Sequence, residues 1–323
     1  MNKHTKLFVG FLAALLMILI VGTISFSLNI SKNSNQQDDL SETGLQVDGY
    51  EIFQDENDLY GVKDSAGNTL IEAEWKKLHF ISDDYLAAYP EEDITEKSNT
   101  AVFGILDVSG NVVTPFAYSD IQVLFSSYYL AEFADTEQYI FYHHNFQPFV
   151  SVIWDACTWD ETSIVLTKED DDFIYSTNES DDLTLTEMNL SRSSGNVSFS
   201  VDANDADITL LSADIWIYVT DQIQKVLEIL MNKDTSAVAQ VTDNEHEDTI
   251  LSILSQENQT ILRTDRTVYL TTDVSSEGTA PTLTWQVAAN VRIEEEGQKK
   301  QTISIIMEQD EDKIWVITDL QLE

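Results

Sequence analysis

The chain has 323 residues, with 57 acidic side chains against 17 basic ones and a formal net charge of −40 at pH 7. A surface that acidic repels nucleic-acid phosphates and anionic lipid headgroups, which excludes nucleic acid as a partner and leaves cationic partners open. Cys157 is the only cysteine, so no intrachain disulfide can form.

Lys3, His4 and Lys6 precede a stretch from 7 to 28 that carries no charged residue. As a helix this is long enough to span a bilayer, which takes about 20 apolar residues. Lysines before the span and acids after it put the N-terminus in the cytoplasm and the bulk of the chain outside, as a single-pass cell-membrane protein. Residues 1–30 are therefore expected to be a cytoplasmic tip and signal-anchor helix. Cleavage after a signal peptide, with Ser25 and Ser27 as the small residues before the cut, is the alternative and implies secretion. Residues 31–44, rich in Ser, Asn, Gln, Asp and Glu, read as a polar tether.

A seventeen-residue phrase then occurs twice, LYGVKDSAGNTLIEAEW at 59–75 and VFGILDVSGNVVTPFAY at 102–118. Tyr60 and Phe103, Gly61 and Gly104, Gly67 and Gly110, and Trp75 and Tyr118 all share an offset of 43, so the two phrases are collinear copies. Asp64 and Asp107 open a turn, Gly67 and Gly110 supply positive φ, and the flanks alternate like half-buried strands, so each copy predicts a β-hairpin. Leu86-Ala87 and Leu130-Ala131 stand where a third strand would return. A degenerate third copy starts at Tyr139, with His144-Asn145 at its turn, Trp154-Asp155 echoing Tyr118-Ser119, and Ile164-Val165-Leu166 closing it. The aromatic-Gly pair, the Gly-Asn turn, the later aromatic and the closing Leu-Ala resemble the WG β-repeat family, with Tyr60 and Phe103 in place of the eponymous tryptophan. That resemblance implies a repetitive antiparallel β module over 45–178 and brings no shared catalytic residues.

Polar residues crowd 179–206, which reads as a linker or as short strands, since Leu183, Leu185 and Met188, and then Val197, Phe199 and Val201, alternate with polar neighbours. From 207 to 323 the pattern is helix, then strands. Ser212 is a candidate N-cap with Asp214 in the first turn, and Ile215, Val219, Ile223, Val226, Leu227 and Leu230 share one face. A shorter helix is expected at 247–255 and strands at 259–271, 282–293, 301–308 and 313–322. This order resembles the NTF2-like cone fold, and nearly as well the cystatin-like fold. The fold class is thus mainly β, with an N-terminal transmembrane helix, antiparallel β-hairpin repeats and a C-terminal α+β domain of helix on antiparallel sheet.

Signatures of chemistry are sparse. Glu169-Asp170-Asp171-Asp172 and Glu294-Glu295-Glu296 read as solvated turns, because adjacent like charges repel when buried. The run from Asp202 to Asp207 lacks the oxygen ligand and the glycine that a calcium loop needs. His143 and His144, as neighbours, would point to opposite faces of a strand. Cys157, with no basic neighbour, reads as a small core residue. No phosphate loop, nucleophile elbow or zinc signature occurs, so no catalytic, cofactor or metal residue is expected. The expected function is a non-catalytic, membrane-anchored binding or interaction protein with a protein, peptide or small-molecule partner. A structural spacer presenting the C-terminal domain and an NTF2-like enzyme are the alternatives. If the C-terminal domain holds a pocket, Trp216, Trp285 and Trp315 are its candidate walls.

Overall fold

The computed structural model describes residues 46–90, 102–242, 246–274 and 280–323. The expected anchor at 7–28 and the tether at 31–44 lie outside these residues. Strands make up 53% of the described residues and helices 14%, so they are mostly β, in largely antiparallel sheets with a helix. Two compact units divide between Ser119 and Asp120, inside the 45–178 stretch that the sequence groups as one repeat domain.

In the first unit β1 (Tyr50–Gln54), β2 (Tyr60–Asp64), β3 (Thr69–Phe80), β4 (Tyr85–Pro90) and β5 (Gly104–Asp107) form a five-stranded meander. Its core gathers Val62, Ile71, Leu78, Phe80, Leu86, Ala88 and Leu106 from both copies, and Trp75 of the first stacks on Phe116 of the second at 5.5 Å. The two turns match atom for atom. Asp64 N–H donates to Asn68 O at 2.9 Å and Gly67 N–H to Asp64 O at 2.9 Å, while Asp107 N–H donates to Asn111 O at 3.0 Å and Gly110 N–H to Asp107 O at 2.9 Å. Both glycines sit at φ 84°. This is a three-residue hairpin loop closed by a left-handed residue. Each aspartate carboxylate also accepts the N–H two residues on and both the N–H and Nδ2 of the following asparagine.

β6 (Tyr118–Leu124), which begins at the end of the first unit, forms a three-stranded sheet with β7 (Tyr128–Phe133) and β8 (Tyr139–Tyr142) of the second. β9 (Ala156–Trp159), β10 (Ser163–Lys168), β11 (Asp171–Thr177) and β12 (Leu183–Asn189) form a four-stranded meander with β12 at one edge. A six-stranded sheet follows the chain order β13 (Ser191–Ser194), β14 (Val197–Asp205), β15 (Gln259–Asp273), β16 (Thr282–Ile293), β17 (Gly297–Gln309) and β18 (Trp315–Leu322). Every pairing in it is antiparallel except β14 with β15, which is parallel because a helical crossover joins them.

That crossover holds α1 (Ala213–Asn232) and α2 (Glu247–Leu254). Ser212 precedes α1 in extended conformation but makes no side-chain capping bond, and Lys233 ends the helix at φ 53° with its N–H on Ile229 O. Trp216, Val219, Ile223, Val226 and Leu227 on one face of α1 are fully buried with Val268, Leu283, Trp285, Val287, Ala289, Ile303, Ile305 and Met307 of the sheet. Burying one such aliphatic side chain contributes about 1.5–3 kcal/mol. The polar stretch 179–206 therefore supplies ordered strands, β12 to one sheet and β13 and β14 to the other.

Candidate functional site

A cleft in the second unit lies where these two sheets part. β12 ends at Asn189, Leu190 is buried, and β13 then pairs with β14 from Ser191↔Ser200 to Ser194↔Val197. At the apex Val201 N–H donates to Leu190 O at 2.9 Å. Beyond it β14 continues with β15 as its only sheet partner, through Val201↔Val268 and Asp202↔Tyr269, and β12 keeps only β11. A cleft of about 590 Å³ opens between them, walled by residues 186–189 and 200–204 together with Ile208 and Thr267.

Strand alternation gives the cleft two characters. Met188, Val201, Ala203 and Ile208 belong to, or pack against, the hydrophobic core of the unit. Glu187, Asn189, Ser200 and Asn204 are exposed, and Asp202 is half-buried. Asp202 Oδ1 accepts Asn204 N–H at 3.2 Å and Asn204 Nδ2 at 2.5 Å. Ile208 is fixed by a short 3-10 turn, Ile208–Leu210, that Asp207 caps, and its carbonyl accepts the Trp216 indole at 3.0 Å. The lining includes two carboxylates and no lysine, arginine, histidine or cysteine.

Sequence reasoning offered Trp216, Trp285 and Trp315 as pocket walls, and the packing corrects this. They are 0%, 0% and 3% exposed, sit in the same core cluster, and none lines the cleft. A large ring in a helix–sheet interface is simply the best filler of that space. Apart from Ile208 and Thr267, the residues that line the cleft come from the stretch read as linker or short strands, where the alternation of Leu183, Leu185 and Met188 with polar residues was the signal.

A second correction concerns the acidic run at 169–172. Asp171 is fully buried, with Arg192 Nη1 2.5 Å from its Oδ1 and Ser191 N–H donating to the same oxygen at 2.8 Å. Arg192, 6% exposed, also bonds Asp221 at 2.8 Å and the carbonyls of Ser191 and Ile217, tying β11, β13 and α1 together. Burial pushes the Asp171 carboxyl above its ordinary range, and the guanidinium opposes that rise.

The repeat residues stand where the offset of 43 requires. Tyr60 pairs with Trp75 and Phe103 bridges Tyr118, although the first pair is half-buried and the second fully buried. A Cβ on Gly61 would lie 2.5 Å from Ile71 O, and one on Gly104 would lie 2.9 Å from the Phe116 ring, so close packing excludes a side chain at both. Burial, followed by the charge of Glu132, pushes the Cys157 thiol up to about 12. His143 packs against Tyr128 and Phe149, and burial lowers its pKa. Among the described residues no group of three or more His, Cys, Asp or Glu side chains is arranged to hold a metal ion.

No protein-family model and no curated protein matches the chain. Solved structures give two faint likenesses. One is to an NTF2-like protein involved in plasmid conjugation, at 9% identity and a TM-score of 0.25 over 76% of this chain and 74% of that one. The other is to a GH43 protein from Bacillus licheniformis, at 8% identity and a TM-score of 0.19 over 86% of this chain and 54% of that one. Likenesses of this size carry no weight for fold or activity.

Proposed function

We propose that this chain is a non-catalytic, extracytoplasmic binding protein, held at the membrane by residues 7–28, that engages its partner through the cleft between β12 and β14. The observation that carries this reading is the form of the cleft. The open edge of β12, polar side chains and an apolar floor make a surface suited to holding a ligand. In the same reading the hairpin copies are WG-like repeats, supported by their matching turns. The C-terminal unit is NTF2-like or cystatin-like, supported by the order of one long helix followed by a four-stranded antiparallel meander.

Panning a random-peptide library on the purified full-length chain in detergent tests the binding reading. Enriched ligands are expected to bind saturably and to raise the unfolding temperature. Failure to enrich any ligand, together with turnover of a chromogenic ester, peptide or glycoside substrate that Glu187→Gln abolishes, would replace it with an enzyme. For the anchor, protease added to intact cells should remove everything beyond the tether. A protected 46–323 region would contradict it.

The spacer reading applies best to the first unit. There both copies spend their aromatic and aliphatic side chains on a filled core.

A further inference from the structure

We propose that the cleft accepts, as an added β-strand, an extended segment of a partner protein in which lysine or arginine alternates with aliphatic residues. This deepens the binding reading above and rests on it. β12 is the terminal strand of its sheet, and alternate residues of a terminal strand direct their N–H and C=O groups away from the one partner they have. β14 outruns β13 after Ser200, but Val201 N–H is held by Leu190 O, Asp202 pairs with Tyr269 of β15 and Ala203 O accepts Ala206 N–H, so β12 is the edge that offers main-chain groups while β14 supplies the facing side chains. An irregularity in the β11–β12 register falls at Thr186, which leaves Glu187, Met188 and Asn189 as the regular flank beside the opening. An extended segment laid along that flank would gain main-chain hydrogen bonds for affinity, while its alternating side chains supply specificity.

The two characters of the cleft select the sequence of that segment. Side chains on one face of an added strand would meet Met188, Val201 and Ile208, which favours aliphatic residues. Those on the other face would meet Glu187 and Asp202, with no basic side chain in the lining to neutralise them, which favours lysine or arginine. The net charge of −40 strengthens the preference, since it accelerates encounter with a cation and opposes edge-to-edge pairing of two copies of this chain.

The test is fluorescence anisotropy on the purified full-length chain in detergent, at about 0.3 M salt so that loose charge attraction is screened. The probe is a labelled short peptide of alternating lysine and valine. Three further peptides accompany it: one with glutamate for lysine, one of the same composition in blocks, and one N-methylated at alternate amides. Saturable binding of the alternating basic peptide is expected. Glu187→Lys with Asp202→Asn should weaken it by about tenfold or more, and N-methylation by a similar factor through lost ladder bonds, again about tenfold. Asparagine retains the Asp202 oxygen that Asn204 uses, and an unchanged circular dichroism spectrum and unfolding temperature show that the variant is folded. If it is not, Glu187→Gln alone should still weaken binding.

Equal binding of the block or N-methylated peptide would overturn strand addition. Binding insensitive to Glu187 and Asp202, or no binding of the alternating peptide at all, would overturn the assignment to this cleft. In both cases the wider binding reading stands or falls separately, on whether panning yields any ligand.

Discussion

Tyr139 and Trp154 exchange two backbone hydrogen bonds, 2.9 Å from Tyr139 N–H to Trp154 O and 2.8 Å in return. They are fifteen residues apart, the spacing at which Tyr60 pairs with Trp75 and Phe103 bridges Tyr118, so the stretch from Tyr139 folds as a hairpin of the same geometry. Its turn has the same bonds, His143 N–H to Gln147 O and Phe146 N–H to His143 O, and Phe146 occupies the left-handed position of Gly67 and Gly110 at φ 56°. A non-glycine residue there costs about 1–2 kcal/mol. Phe146 offsets that cost by burying its ring, stacked 4.3 Å from Tyr129. Phe146→Gly should therefore destabilise the protein, by about 1–3 kcal/mol once the strain relieved is set against the burial lost. An unfolding midpoint that rises would show that backbone strain dominates.

Gly61 and Gly67 separate steric from conformational need. Alanine at Gly61 would meet Ile71 O, Phe53 and Ala73 N within 3 Å, whereas at Gly67 it would meet nothing within 4 Å but would keep φ at 84°. Chemical denaturation should show Gly61→Ala costing more than the roughly 1–2 kcal/mol expected for Gly67→Ala. The reverse order would contradict the close approach of β2 to β3.

These copies also mark what was legible in the sequence. The first two were readable because Asp64, Gly67, Asp107 and Gly110 are the residue types the turn demands. The third had lost both glycines, and only the aromatics Tyr139 and Trp154 preserved it. The helix and the strands after 207 were readable from periodicity. The cleft was not, because β12 and β14 are close neighbours in sequence but end in different sheets, which no local pattern encodes. Asp171 was misread for a related reason, since a run of acids signals solvent unless a distant cation such as Arg192 is folded onto one of them.

Arg192→Met would strand Asp171 in the core without a cationic partner and should cost about 3–5 kcal/mol, whereas Asp221→Asn, at a half-exposed partner, should cost at most about 1 kcal/mol. Equilibrium urea denaturation reads both. Equal losses would mean that Asp221, rather than Asp171, anchors the guanidinium.

His79 supplies a pH dependence. Burial, and then the charge of Lys77, lowers its pKa to about 4. The unfolded chain takes up its proton first, so the contribution to stability is whole above the ordinary histidine value of 6.5 and is lost as pH falls toward 4. His79→Phe should flatten the stability profile in that window, and an unchanged slope would show that His79 is freely hydrated.

Cys157, with its thiol raised to about 12, should resist alkylation in the native state at pH 8 and react promptly in denaturant. Rapid native labelling, followed by mass spectrometry, would show that the half-buried thiol is not held up by its surroundings.

Amide hydrogen exchange, with and without the alternating lysine–valine peptide, tests the central claim most directly, because it reports where the main chain becomes paired. New protection is expected within 187–189 of β12, at the residues whose N–H groups face away from β11, with little change on β16 to β18. Protection confined to the outer face of the six-stranded sheet, or none at β12 while the peptide is bound, would contradict the account.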